Sequence, residues 1–115
     1  MLVEFRVKNF RSLRGEQVFS FVASSDRSFR DTHCVATGFT GLPFVTRAAV
    51  VSCDNATGKS TLMFALATMR NLVGLSTKLT EPQFAEQYTP FRLDLTSAAE
   101  PTELEVTIVL DGVRY

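Results

Sequence analysis

A polar loop between two apolar segments carries the residue types that bind phosphate. It reads Ser-Cys-Asp-Asn-Ala-Thr-Gly-Lys-Ser-Thr over residues 52–61. In the pattern G-x-x-x-x-G-K-[ST], backbone N–H groups surround the phosphates, the lysine reaches the β and γ oxygens, and the next hydroxyl holds Mg²⁺. Gly58, Lys59 and Ser60 match these three roles. The loop therefore predicts a polyphosphate site with Mg²⁺ at Ser60.

Two residues of the loop oppose tight binding. Cys53 stands where the pattern has its first glycine, and a glycine-only backbone conformation there would cost a cysteine about 1–3 kcal/mol. Asp54 brings a carboxylate towards the phosphates. At an effective dielectric near 20, two unit charges about 6 Å apart repel by roughly 3 kcal/mol, which corresponds to about a hundredfold in affinity. We therefore expect weak binding.

The elements around the loop follow the order that a phosphate-binding loop requires. Residues 47–51 (Arg-Ala-Ala-Val-Val) predict a short buried strand, and residues 60–75 predict a helix. One face of that helix would carry Leu62, Leu66, Met69 and Val73. The alternative is a polar turn in which Gly-Lys-Ser occurs by chance. The order strand, loop, lysine, helix favours phosphate.

The N-terminal segment predicts a β-hairpin. Residues 2–10 alternate, with Val3, Phe5 and Val7 on one face. Residues 14–16 form a turn, and residues 17–23 are a second strand-like run, so the pair should be antiparallel. Residues 24–46 are predicted to be loop with one short strand.

The C-terminal half predicts one short helix and another hairpin. Residues 80–83 indicate an N-cap followed by a helix whose apolar side would be Phe84 and Tyr88. Residues 103–110 alternate, and their apolar members should face one way: Leu104, Val106, Ile108 and Leu110. Asp111-Gly112 is a strong two-residue hairpin signal. Only three residues follow it, so we expect the chain to be the front of a longer protein.

Composition excludes several classes of protein. The 115 residues are 45% hydrophobic, contain no apolar run near the roughly 20 residues of a membrane span, and begin without an export signal, so we expect a cytoplasmic protein. Two cysteines and one histidine give no metal cluster or disulfide framework. Twelve basic and twelve acidic residues cancel, so net charge indicates neither nucleic acid nor an anionic membrane.

The segment Lys-Asn-Phe-Arg-Ser-Leu at residues 8–13, the hairpin strand after it and the N-x-x-G-K-S-T loop carry a family resemblance. Together they resemble the N-terminal lobe of ABC-type ATPases of the RecF/SMC and overcoming-lysogenisation-defect group. Such proteins are commonly labelled AAA family ATPases in bacterial genomes. The subgroup whose loop reads G-A-N-A-S-G-K-S-T, which is linked to phage defence, is most similar. The resemblance covers essentially the whole chain and is strongest at residues 1–20 and 48–75.

This resemblance implies a fold and a set of site residues. The fold would be α/β, an ABC-type P-loop NTPase N-terminal lobe with antiparallel β-strands beside a P-loop strand and helix. Residues 1–115 would be a single lobe, a fragment of a longer ATPase domain. Arg11 would lie beside the bound nucleotide, where a guanidinium suits phosphate. The nucleotide-binding loop positions would be Asn55, Ala56, Thr57, Gly58, Lys59, Ser60 and Thr61, with Ser60 as the Mg²⁺ ligand.

The implied function is binding of ATP with Mg²⁺. The full-length protein would hydrolyse ATP as a homodimer clamped by nucleotide, and would act on DNA or an effector protein through further regions, as in phage defence. No Walker B acids, Q-loop glutamine or switch histidine are recognisable in the sequence, so we expect no catalytic residue and no turnover by this chain alone. The alternative is a degenerate P-loop interaction module that does not bind nucleotide. A direct nucleic-acid binder is least favoured, because the basic cluster of Lys8, Arg11 and Arg14 lacks interleaved stacking aromatics.

Overall fold

Antiparallel strands and helices share the chain, which confirms the predicted α/β class. The structure is a computed structural model that describes residues 1–52, 54, 58–78, 80–86 and 89–115, without the side chains of residues 84–86. Its elements are β1 Leu2–Lys8, β2 Gln17–Ser20, α1 Arg30–His33, β3 Cys34–Ala36, β4 Phe44–Thr46, α2 Lys59–Leu75, α3 Glu81–Glu86, a 3₁₀ turn Ser97–Ala99, β5 Glu103–Leu110 and β6 Val113–Arg114.

The larger sheet has the strand order β2-β1-β5-β6. In β1, Val3, Phe5 and Val7 are buried and the residues between them are partly exposed, which confirms the predicted alternation. The strand ends at Lys8 because Asn9 adopts a left-handed backbone with φ 50°. The tight turn after it lies at Arg11 and Ser12, earlier than the predicted turn at residues 14–16. Neighbouring β2 confirms the second strand of the N-terminal hairpin. It is shorter than the predicted run over residues 17–23, and residue 22 only bridges to Val45.

The smaller sheet corrects two predictions: residues 24–46 contain two strands, β3 and β4, and the short helix α1 rather than one short strand, and residues 47–51 contain no strand. β3 and β4 pair antiparallel, with Val35 opposite Val45. The last of their backbone hydrogen bonds runs from Arg47 N–H to the His33 carbonyl (2.8 Å). Residues 47–51 then continue without strand structure, and Val50 is 94% exposed. The predicted strand is therefore wrong, because the strand in this segment is β4, which ends at Thr46, and its pairing with β3 is complete at Arg47.

The chain divides into two compact units. One comprises Met1–Phe5, Val18–Val51 and Glu105–Tyr115, and the other comprises Arg6–Gln17 and Ser52–Leu104. The first unit has a core of Val3, Val45 and Val109, against which Phe21, Val35, Phe39 and Leu42 pack. The buried residues of the second unit include Val7, Asn9, Phe10, Ala65 and Thr68. That the whole chain forms one lobe remains a prediction.

β5 has the predicted bounds, but its apolar face is only partly as predicted. Val109 is fully buried in the core of the first unit, whereas Ile108 is 37% and Leu110 55% exposed. The alternation of apolar residues at 104, 106, 108 and 110 therefore assigned the wrong face at the C-terminal half of the strand. The turn after it is confirmed: Asp111 and Gly112 both have positive φ, at 51° and 75°, as a type I′ hairpin requires.

The two longer helices confirm their predicted positions. α2 turns Ala65 and Thr68 into the second unit, with Leu62, Leu66 and Met69 partly buried, whereas Val73 is 69% exposed and was wrongly assigned to the inner face. At the start of α3, the Gln83 side chain accepts a hydrogen bond from the Thr80 N–H (3.1 Å), half of a capping box.

The predicted apolar side of α3 falls on Phe84 and Tyr88, whose side chains lie outside the described part of the chain. Among the residues that the structure describes, no helix has the length and apolar character needed to cross a membrane.

Candidate phosphate-binding site

A left-handed glycine and the lysine after it shape the start of α2. Gly58 precedes the first helical residue, Lys59, with φ 105° and ψ 9°, a left-handed conformation that favours glycine. A Cβ at this position would lie 2.8 Å from Leu13 Cδ2. The Lys59 ammonium donates to the backbone carbonyl of Asp54 at 2.8 Å. The lysine side chain is therefore directed back to Asp54, five residues before it in the chain.

A two-residue turn places Arg11 and Ser12 at the tip of a tight hairpin. Phe10 and Leu13 exchange backbone hydrogen bonds of 2.8 and 2.9 Å, and Asn9 N–H donates to the Arg14 carbonyl at 3.1 Å. We call residues 9–14 the Arg11 hairpin. Asn9 and Arg11 both have left-handed φ, near 50°, which is uncommon for residues other than glycine and concentrates at functional sites.

The Arg11 hairpin contacts the beginning of α2 through three neighbouring side chains. Ser12 Oγ and Thr61 Oγ1 share a 2.7 Å hydrogen bond. The Arg11 guanidinium lies 4.4 Å from the centroid of the Phe64 ring. With Leu13 beside Gly58, these contacts bring the predicted residue Arg11 to the helix that begins at Lys59.

Asn9 is the residue of this site that sequence reasoning missed. It is fully buried, and its side-chain amide donates to the carbonyls of Ser97 and Glu100, both at 2.8 Å. Its side-chain oxygen accepts from the Phe91 N–H (3.0 Å), and its backbone carbonyl accepts from the Thr102 hydroxyl (2.7 Å). Asn9 therefore fixes residues 91–102 to the base of the Arg11 hairpin. The available signal was an asparagine at a strand end, where its tolerance of left-handed backbone suits a turn.

Arg11 differs from the nearby basic residues Lys8 and Arg14, because each of those two forms an ion pair. Lys8 contacts Glu103 at 2.9 Å, and Arg14 contacts Asp94. Hydrogen bonds from the backbone and hydroxyl of residue 96 hold the pKa of Asp94 below its usual value, so this partner of Arg14 stays charged. Among the side chains that the structure describes, no carboxylate pairs with Arg11. Its guanidinium is the one in this cluster available to an anionic ligand.

The remaining predicted site residues divide into two groups. Ser60 is exposed in the first turn of α2, where its hydroxyl can meet a ligand. Residues 53 and 55–57, which include the predicted Asn55, Ala56 and Thr57, lie outside the described part of the chain. The described residues contain no group of three His, Cys, Asp or Glu that could hold a metal ion. A Mg²⁺ ion at Ser60 would fit a site that uses few protein ligands together with substrate phosphates and water.

Comparisons of the chain with protein-family models, with curated proteins and with solved structures found no match.

Proposed function

We propose that this chain binds Mg²⁺–ATP through residues 52–61, as the nucleotide-binding lobe of an ABC-type P-loop ATPase. The observation that carries the proposal is the position of Lys59. Directly after a left-handed glycine, it begins a 17-residue helix and bends its ammonium back to the Asp54 carbonyl. A positive charge beside Asp54, at the positive end of the helix dipole, is an arrangement that attracts phosphate.

Two further residues have roles in this proposal. Ser60 provides a hydroxyl ligand for Mg²⁺ in the first turn of α2. Arg11 provides a second cation, and its present contact with the Phe64 ring is a cation–π interaction of about 0.5–1 kcal/mol at an exposed site. Because a charge-assisted hydrogen bond to phosphate is stronger, Arg11 can exchange the ring for a nucleotide.

The activity of the full-length protein rests on the family resemblance. We propose that the complete protein is a cytoplasmic homodimeric ATPase that couples hydrolysis to DNA or to an effector protein, as in phage defence. The present chain contributes nucleotide binding. Hydrolysis needs a water-orienting acid and further Mg²⁺ ligands, for which this sequence offers no recognisable motif.

The alternative is an interaction module with a P-loop that no longer binds nucleotide. It is favoured by the outer side of α2, where Met63 is 65%, Phe64 51% and Val73 69% exposed. Met63 and Phe64 are adjacent, and exposed apolar side chains along the outer side of a helix are typical of protein–protein contact. Cys53 and Asp54 would then be the substitutions that ended nucleotide binding.

Calorimetric titration with Mg²⁺–ATP distinguishes the two proposals. We expect saturable binding that Lys59→Ala abolishes and that Lys78→Ala leaves unchanged. Lys78 is a matched control, because it is an exposed lysine just beyond the end of the same helix. The sample should first be shown to be folded by circular dichroism. If millimolar ATP then gives no heat of binding, the proposal of nucleotide binding is overturned and the interaction module is the favoured function.

The two unusual loop residues provide a second test. We expect Cys53→Gly with Asp54→Ala to tighten ATP binding by about a hundredfold, because it removes a repelling carboxylate and restores glycine at the first loop position. Asp31→Ala changes the net charge as Asp54→Ala does, but in the first unit, and should leave the affinity as it is. Equal affinity before and after the double substitution would contradict the expectation that Cys53 and Asp54 weaken ATP binding.

A further inference from the structure

The first compact unit contains a cavity of about 220 Å³ that is lined by apolar surface and by several polar side chains. The lining side chains include Ser24, Asp26, Phe29, Arg30, His33 and Thr46. We infer that this cavity binds a small oxyanion, a carboxylate or phosphate group, through Arg30. The inference does not depend on nucleotide binding at residues 52–61, because every residue named belongs to the first unit.

The observation that indicates an anionic ligand is the unpartnered Nε of Arg30. Its Nε is shielded from solvent and has no hydrogen-bond partner among the described residues. The guanidinium carbon lies 4.8 Å from the centroid of the Phe44 ring, which limits how the group can turn. A shielded N–H of a charged group without an acceptor costs about 1–3 kcal/mol or more, so such groups are normally satisfied by an unseen water or ion. A guanidinium offers two parallel N–H groups to an oxyanion, which binds them better than a neutral water.

Neighbouring side chains shape the cavity wall, and one of them supplies a further hydrogen-bond donor. Nδ1 of His33 and the Thr32 hydroxyl are 2.7 Å apart, and the Phe29 ring meets the imidazole edge-on at a centroid distance of 5.3 Å. These two contacts hold the imidazole in place at the cavity wall. The Ser24 hydroxyl also lines the cavity. The Arg30 guanidinium and the Ser24 hydroxyl are donors suited to carboxylate or phosphate oxygens.

One carboxylate also lines the cavity and sets a limit on the ligand. Asp26 Oδ1 accepts from the Ser28 N–H (2.9 Å) and the Ser28 hydroxyl (2.7 Å), and these hydrogen bonds hold the Asp26 pKa below its usual value. Asp26 therefore stays charged at neutral pH and repels an anion. This repulsion restricts the site to a small ligand of low charge bound on the side of Arg30 and His33.

The test is an NMR titration of the chain with sodium acetate and, separately, inorganic phosphate, with sodium chloride as the reference at equal ionic strength. It is run in a Lys59→Ala background, so that phosphate at residues 52–61 does not interfere. We expect saturable shifts of the backbone amides of Ser24, Cys34 and Thr46. The acetate and phosphate arms distinguish the two chemical sources of the oxyanion.

Substitutions then connect the shifts to Arg30. Arg30→Gln should weaken binding at least tenfold, and Asp26→Asn should tighten it several-fold. Arg27→Gln is the matched control, since Arg27 is an exposed neighbour that does not line the cavity. Should Arg30→Gln disturb the fold, Arg30→Lys keeps the charge, removes the fork of N–H groups and is expected to weaken binding as well. Shifts that grow linearly and equally with chloride, or an equal loss with Arg27→Gln, would overturn the inference.

Discussion

The two chain segments that flank residues 52–58, the candidate phosphate-binding loop, are held in very different ways. After the loop, α2 begins at Lys59 and is contacted in its first turns by the Arg11 hairpin, through the Ser12–Thr61 hydrogen bond and the Arg11–Phe64 contact. Before the loop, residues 47–51 form no strand, and Val50 is 94% exposed. One side of the loop is fixed within the second unit, and the other side is not paired into a sheet.

The difference follows from how helices and strands satisfy their backbone groups. A helix makes its own hydrogen bonds and needs only one packed face, which α2 finds at Ala65 and Thr68. A buried strand depends on neighbouring strands for both hydrogen bonds and burial. The helix side of a phosphate loop can therefore form from local sequence and one hairpin, whereas the strand side requires sheet neighbours.

The test with the largest expected effect removes the side chain of Asn9, at the base of the Arg11 hairpin. Asn9→Ala leaves the Glu100 carbonyl and the Phe91 N–H without their Asn9 partner and removes one of the two hydrogen bonds to the Ser97 carbonyl, so we expect a loss of about 3 kcal/mol or more in the free energy of unfolding. Urea denaturation measures it.

Asn9→Gly separates hydrogen bonding from backbone strain, because glycine accepts the left-handed φ of 50° at this position. We expect it to be less damaging than Asn9→Ala by about 1 kcal/mol, the usual cost of this conformation for other residues. A loss below about 1 kcal/mol for Asn9→Ala would mean that the hairpin is not what fixes residues 91–102.

The second test acts where the hairpin meets the helix. Gly58→Ala should cost about 1–2 kcal/mol, because alanine is strained at φ 105° and its Cβ would approach Leu13 Cδ2. Thermal unfolding of Gly58→Ala with and without Leu13→Ala distinguishes strain from steric overlap.

Gly74→Ala is the matched control in the same helix. No atom lies within 4 Å of a Cβ placed there, and it should stabilise the protein by about 0.5–1 kcal/mol through helix propensity. Equal effects at positions 58 and 74 would contradict a special conformation at Gly58.

A smaller effect is expected from the hydroxyl pair that joins hairpin and helix. In a double-mutant cycle with Ser12→Ala and Thr61→Val, we expect a coupling energy of about 1 kcal/mol, the usual contribution of one hydrogen bond. Additive effects of the two substitutions would show that the 2.7 Å contact contributes nothing to the stability of the helix start.

The smallest effect should come from the segment before the loop. Val50→Thr should change the free energy of unfolding by less than about 0.5 kcal/mol, because its side chain is exposed. Val45→Thr introduces the same hydroxyl at a residue of the first unit's core that is 3% exposed, and should cost about 1–3 kcal/mol. Similar losses at the two positions would show that residues 47–51 are packed after all, and the comparison would fail.

Sequence reasoning succeeded where the signal is local. The alternation of Val3, Phe5 and Val7, the 103–110 strand and the Asp111-Gly112 turn are all present. It failed where the outcome depends on a partner elsewhere in the chain. Residues 47–51 are apolar enough for a buried strand but lack strand neighbours, and Val73 has the right helical spacing but no surface to pack on.

For the candidate site, the sequence by itself determined the order of a glycine, a lysine and a hydroxyl at the start of a helix, because helix boundaries and turn conformations follow from nearby residues. Only the tertiary structure decided that the Arg11 side chain contacts Phe64 of α2 and that Asn9 connects residues 91–102 to the Arg11 hairpin. These contacts join residues distant in sequence. The side chain that completes such a contact is selected by the space and unpaired backbone groups at its destination, which no local pattern specifies.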